Sequence, residues 1–280
     1  MWTMPGRCPV SNTGCESMDL QKAKPLTTFR DNKLNHQIIS GLKDKKVLVT
    51  GATGGIGSCL VQMFAKEGAT LGIHYHQNQE QAKSLSRDIE VDGGRAGCFQ
   101  ADLLSTNELS LVQEFIERFG GIDILINNAG GILGFKDFLE LDESAWTETH
   151  RLNVQAPFFL AQRAFAHMKK HGGGKIINIS SIAAKYGGSS KSLHYGSAKA
   201  GLESITVGLA RAGAPHNILV NAVQAGFIDT PLQQRLAGEK NLQERIDLIP
   251  LKRPGKPRDV AGAVVYLASA AGDFITSEIM

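Results

Sequence analysis

The chain is expected to fold as an α/β protein, a single doubly wound parallel sheet with helices on both faces. Three observations lead there. Short, apolar, β-branched runs alternate with amphipathic helical stretches from Lys46 onward, the pattern of a parallel sheet buried on both sides. A glycine-rich loop follows the first such run and opens the first helix. No internal repeat or linker interrupts the alternation after residue 45.

Taken in order, Val47-Leu48-Val49 is the first strand. Ile56, Leu60, Val61, Phe64 and Ala65 then recur at helical spacing, and Gly68 ends that helix. Thr70 to Tyr75 is a second strand, and Gln79 to Val91 a helix stopped by Gly93-Gly94. Ala96 to Gln100 is a third strand. Thr106 to Phe119 is amphipathic, with Leu109, Val112, Phe115, Ile116 and Phe119 on one side, and Ile122 to Ile126 is a fourth strand. Asp142 to Lys170 reads as helix in two segments. Lys175 to Ser180 is a fifth strand, Tyr195 to Arg211 a helix, Ile218 to Val223 a sixth strand and Arg258 to Ala268 a late helix. Residues 1–44 hold Pro5, Pro9, Pro25 and many polar residues without a sustained apolar period, so a flexible or loosely docked extension is expected there. Residues 45–280 then form one dinucleotide-binding and catalytic domain.

Composition narrows the function classes. Of 280 residues, 42% are hydrophobic and 20% charged, and the net charge of +3 is spread rather than clustered. That pattern excludes a nucleic-acid surface. No apolar run approaches the ~18 residues a membrane-spanning helix needs, and the N-terminus lacks the apolar core of a secretory signal. Cys8, Cys15, Cys59 and Cys98 form no C-x-x-C pair. A reducing, cytoplasmic setting is therefore expected, and no metal site.

The loop Thr50-Gly51-Ala52-Thr53-Gly54-Gly55-Ile56-Gly57 sits between strand and helix. A dinucleotide pyrophosphate needs backbone N–H groups at a helix N-terminus with no side chains in the way. Gly51, Gly55 and Gly57 supply the turn, the close approach and the close packing. A carboxylate about 20 residues on would hold the ribose hydroxyl of NAD. No acidic residue lies between Glu67 and Glu80, so NADP(H) is favoured and NAD(H) accommodated. His74 and His76 are the residues expected near the ribose phosphate. Asp102 is placed either at the adenine amino group or as the cap of the next helix.

Further on, Tyr195 and Lys199 stand one helical turn apart on one face. An exposed tyrosine titrates near ~10, and a neighbouring cation favours the phenolate. The pair is thus expected to be a proton donor and acceptor with a lowered phenol pKa.

These motifs occur in one order: the glycine loop, Asn127-Asn128-Ala129-Gly130, Asn153, Ile179-Ser180-Ser181, Tyr195-Gly196-Ser197-Ala198-Lys199 and Asn221-Ala222-Val223-Gln224-Ala225-Gly226. In them the chain resembles the short-chain dehydrogenase/reductase family, nearest its 3-oxoacyl-acyl-carrier-protein reductase and glucose dehydrogenase branch. The resemblance implies hydride transfer between a nicotinamide and a ketone or secondary alcohol, a 3-oxoacyl thioester among them. It implies that Tyr195 exchanges the proton and that Lys199 lowers its pKa and binds the nicotinamide ribose. Ser181 would hold the substrate oxygen, and Asn153 would support a proton relay. Asn127, Ala129 and Gly130 would wall the cofactor cleft together with Asn128, with Thr53 and Ile56 in the glycine loop. Gly226, Ile228 and Thr230 would meet the nicotinamide end. A homo-oligomer, dimer or tetramer, is implied as well.

The chain departs from the family pattern in three places. Ala225 stands where a proline is usual, the extension is extra, and Ile279-Met280 ends the sequence early. The final strand is accordingly expected to be missing or cut short, with altered tetramer packing. Apolar Gly131 to Phe135, Leu232 and Leu236 are expected to line the substrate side, under a lid between Thr230 and Arg253. Lys169 and Lys170 are placed either against an acidic carrier protein or at a solvated helix end. The competing reading is a nucleotide-binding regulatory or scaffold protein on the same fold, without turnover.

Overall fold

The computed structural model describes residues 40–105, 108–231 and 243–280. Most of the expected extension, and Leu232 and Leu236 with most of the expected lid, lie outside them. Six strands form one parallel sheet in the order β3-β2-β1-β4-β5-β6. They are β1 (Lys46–Val49), β2 (Thr70–Tyr75), β3 (Arg95–Gln100), β4 (Ile124–Asn127), β5 (Gly174–Ser181) and β6 (Ile218–Ala225). Every neighbouring pair runs parallel. The order reverses between β1 and β4, and ligand sites in open α/β sheets lie above such a switch point.

Alternation along β1 shows why both faces are apolar. Val47 and Val49 pack on one side with Leu60, Val61 and Phe64 of α1 (Gly55–Lys66). The same layer holds Ala82, Leu85 and Ile89 of α2 (Gln79–Val91) and Val260, Val264 and Leu267 of a late helix (Pro257–Ala268). Leu48 points the other way. It joins Leu111, Val112, Phe115 and Phe119 of α3 (Glu108–Phe119). α4 (Glu143–His150) then runs through a π-helical turn, Arg151–Gln155, into α5 (Ala156–Met168). α5 adds Leu160, Ala161 and Met168 to this second layer. A short helix, α6 (Ala183–Tyr186), precedes the longest one, α7 (Leu193–Gly213), and the late helix is α8.

Two expectations need correction. Leu42, assigned to the extension, is fully buried in the first layer, because an aliphatic side chain there completes the wall under β1 and α1. The sheet also does not stop at β6. Ile279 bridges Ala222 in parallel. Ala222 N–H donates to Glu278 O at 2.9 Å, and Gln224 N–H to Met280 O at 2.8 Å. The last residues thus begin a seventh strand and cover part of the edge of β6. Among the described residues no helix is long and apolar enough to cross a membrane.

Candidate active site

The glycine loop leaves β1 at Thr50, and its shape is set by polar clamps. Gly51 adopts φ +60°, a left-handed conformation that glycine takes without strain. A Cβ there would lie 2.8 Å from Ala129 Cα. A Cβ on Gly57 would overlap the carbonyl oxygen of Gly51. Thr50 Oγ1 accepts from the N–H groups of Asn128 (2.9 Å) and Ala129 (3.0 Å). Asn128 Nδ2 donates back to the carbonyls of Thr50 (2.8 Å) and Gly51 (3.0 Å). The loops after β1 and β4 are therefore one unit. The first turn of α1 carries no side-chain cap and no acidic residue, which leaves its N–H groups and the positive end of its dipole to an incoming anion.

His74 differs from the expectation of a ribose-phosphate contact. It is 2% exposed. Its Nδ1 accepts from Gly51 N–H at 2.9 Å, and its Nε2 lies 3.2 Å from Ala101 O. Both ring nitrogens are engaged within the protein, so His74 pins the glycine loop to the end of β3. Burial drives its pKa down to about 4, the Ala101 hydrogen bond opposing, and the ring stays neutral. His76, just past the end of β2, is half-exposed and lies 3.8 Å from Asp102 Oδ1. Asp102 itself accepts from Leu104 N–H at 3.0 Å, a turn two residues long rather than a cap, since α3 begins only at Glu108.

The other site residues gather at the same ends of the strands. Ser181 ends β5, and its Oγ accepts from Ala183 N–H at 3.2 Å. Its hydroxyl also hydrogen-bonds the Tyr195 side chain. Lys199 is 3% exposed, with Nζ 2.8 Å from Ile179 O and 5.7 Å from the centre of the Tyr195 ring. Asn153 is fully buried in the π turn. Its Nδ2 donates to Gly131 O and Thr149 O, both at 2.8 Å, and its Oδ1 accepts from Gly131 N–H at 3.2 Å. The extra residue of a π turn re-aims a side chain, and here it aims Asn153 at the Gly130-Gly131 backbone. Asn127 faces inward instead, donating to Asn178 Oδ1 at 2.9 Å. Ile228 is buried and bridges Gly255. Thr230 packs on the glycine loop, since a Cβ on Gly55 would lie 2.9 Å from its Cγ2.

The electrostatics correct one expectation. The Tyr195 pKa is raised rather than lowered, because burial outweighs the Ser181 hydrogen bond. Lys199 is pushed down to about 8 by burial, against the pull of Glu203. Its ammonium is held by the Ile179 carbonyl, beside the phenol ring rather than against its oxygen. Sequence reasoning missed three residues that shape the site. Thr50 braces two loops. His194, buried beside Tyr195, bonds Leu133 O at 2.8 Å and ties the substrate-side segment to α7. Thr149 holds the same backbone, accepting from Leu133 N–H at 3.2 Å. Their only sequence signal is adjacency to Gly51, Tyr195 and the turn of Asn153.

A glycine cradle at the switch point of a doubly wound sheet, beside a phenol, an ammonium and a serine, defines a dinucleotide-binding α/β protein. Similarity carries this further. A family model described as enoyl-(acyl carrier protein) reductase matches residues 51–280. The 3-oxoacyl-acyl-carrier-protein reductase of Thermotoga maritima is 33% identical over 240 residues, 85% of this chain and 96% of that protein. L-rhamnose 1-dehydrogenase (NAD(P)(+)) of Azotobacter vinelandii is 38% identical over 243 residues, 84% and 93% of the two chains. A blue fluorescent protein from a metagenomic library, solved with NADPH, superposes with a TM-score of 0.81 at 33% identity, covering 86% of this chain and 96% of that one. The chain belongs to the short-chain dehydrogenase/reductase family. It is an oxidoreductase that transfers hydride between NAD(P) and a ketone or secondary alcohol.

The dinucleotide implied by this family fits the residues present. Gly51, Gly55 and Gly57 pack too closely on Ala129, Thr230 and the Gly51 carbonyl to carry a Cβ, which keeps the loop free of side chains at the uncapped N-terminus of α1.

Proposed function

We propose that the chain is an NADP(H)-dependent carbonyl reductase in which Ser181, Tyr195, Lys199 and Asn153 do the chemistry's work on the protein side. The observation that carries this is the convergence of a buried lysine, a tyrosine and its hydrogen-bonded serine at the strand ends beside the cradle. The bound nicotinamide supplies the hydride. Ser181 and Tyr195 donate hydrogen bonds to the carbonyl oxygen as negative charge builds on it. Tyr195 then gives up its proton. A raised pKa keeps the phenol protonated until that moment, and Lys199 stabilises the phenolate left behind. Asn153 holds Gly130-Gly131, and with it the cleft wall, in place.

Thr53, Gly55, Ile56, Gly57, Ala129 and Gly130 would hold the dinucleotide, with Gly226, Ile228 and Thr230 toward its nicotinamide end. His76 and the absence of any carboxylate between Glu67 and Glu80 favour a 2′-phosphate. The NADPH held by the similar fluorescent protein supports the same choice. A 3-oxoacyl thioester is the first substrate to try, since the Thermotoga relative is named for that reduction. Cys59 and Cys98 are unpaired, in keeping with a reducing cytoplasm. A homo-oligomer is part of the proposal.

NADPH oxidation against 3-oxoacyl thioesters, β-keto esters, quinones and sugars tests the reading. Turnover of at least one class, with NADPH preferred over NADH, is expected. Tight NADPH binding with no turnover on any would favour a nucleotide-binding scaffold instead.

A further inference from the structure

We propose that Glu203 is a positioning residue of this site, supplying the countercharge of Lys199 and tying the ends of β5 and β6 to α7. The inference rests on the role given above to Lys199. Glu203 stands one helical turn beyond Lys199 on α7, the spacing at which side chains share a face. Its Oε1 accepts two hydrogen bonds, from Ser180 Oγ at 2.5 Å and from Gln224 Nε2 at 2.8 Å. Ser180 and Gln224 are cross-strand partners in the parallel register of β5 and β6, so one carboxylate spans both strands and the helix above them.

The placement matters because each anchored residue adjoins a working one. Ser180 precedes Ser181, and Gln224 precedes Ala225-Gly226, where the loop to Thr230 begins. Ala225 stands in that loop where the family pattern has a more rigid proline, and the Gln224–Glu203 bond restrains the chain one residue earlier.

The charge has a second use. The titratable groups facing Lys199 are Tyr195 and Glu203, both on its own helix. From the other elements it meets uncharged groups: the Ile179 carbonyl on β5, and Gly130, where an added Cβ would lie 3.1 Å from Nζ and 2.7 Å from Asn153 Oδ1. Among the described residues Glu203 is the charge that opposes the desolvation of Lys199. A carboxylate one helical turn away favours the ammonium and so holds the Lys199 pKa up against burial.

The test is an NMR titration of the Lys199 side chain in the full chain carrying carbon-labelled lysine, the signal assigned by its loss in Lys199→Arg. In the unsubstituted protein the midpoint is expected at about 8. In Glu203→Gln, which keeps the shape and removes the charge, it should fall by about one unit or more, and Glu203→Asp should restore most of it. At the original midpoint the charged fraction then drops about fivefold, and kcat/KM with NADPH falls by about that factor. An unchanged midpoint in folded Glu203→Gln overturns the proposal. Ser180→Ala is the second probe, because it removes a hydrogen bond and leaves the charge. Its Lys199 midpoint should not fall, and a fall of about one unit or more would overturn the countercharge role whether or not Glu203→Gln folds. The titration reads Glu203 whether or not any carbonyl turns over, so failure of the reductase reading and failure of this proposal are separable.

Discussion

His74 makes the glycine cradle sensitive to acid. The folded protein holds its pKa at about 4, against 6.5 for an unconstrained histidine. At neutral pH both folded and unfolded chains carry a neutral ring. As pH falls below 6.5 the unfolded chain takes up a proton that the folded chain refuses until about 4. Stability is therefore full above the unfolded value and is lost across that window. Going from about pH 7 to about pH 5, this one buried group withdraws about 2 kcal/mol. His74→Asn keeps an acceptor near the position of Nδ1, loses the contact to Ala101 and abolishes the titration. Urea unfolding of both proteins at the two pH values measures the effect. The variant should start about 1–3 kcal/mol less stable at neutral pH, from the unsatisfied Ala101 carbonyl, and should then lose about 2 kcal/mol less on acidification. Groups common to both proteins cancel in that difference. Identical pH dependence in the two would refute the reasoning, since it would mean His74 is not held neutral by the fold.

Other expectations concern the chemistry and the cradle. Tyr195→Phe should lower turnover by about 10²–10⁴-fold while NADPH affinity, read by cofactor fluorescence, stays within a few-fold; unchanged turnover would remove Tyr195 from the mechanism. Gly57→Ala places a Cβ against the Gly51 carbonyl, so the loop must shift and NADPH affinity should fall about tenfold or more. Asn153→Ala leaves the Gly131 and Thr149 groups it holds without partners, and thermal unfolding should show a loss of about 2–4 kcal/mol. NADPH should bind more tightly than NADH, and His76→Ala should narrow that ratio; the reverse order in the unsubstituted protein would show that residues 74–78 were misread.

The architecture was legible because each strand is a short apolar run between glycines and each helix repeats with its own period. The ends of β1 and of β3 to β6 differ from expectation by one or two residues, where pairing with a neighbour extends or trims a run. The glycine loop, Ser181, Tyr195 and Lys199 were legible as well, since their chemistry depends on residue type at fixed spacing along the chain. His74 was not. His76, two residues on, has the same alternation parity, and only the packing of β3 and the Gly51 loop decides which ring is buried. Nor was the direction of the Tyr195 shift, because a nearby cation and desolvation act in opposite senses and burial is a tertiary quantity.

By itself, then, the amino-acid order determined the alternating strands and helices, the cradle, and the Tyr195–Lys199 turn, all properties of neighbours in sequence. Tertiary structure decided which groups those residues meet. It turned His74 into a brace, bent the helix at Asn153 into a π turn, ran residues 277–280 along β6, and set Glu203 against Ser180 and Gln224. Contacts between residues tens of positions apart depend on how the layers close over the sheet, and local pattern carries no record of that closure.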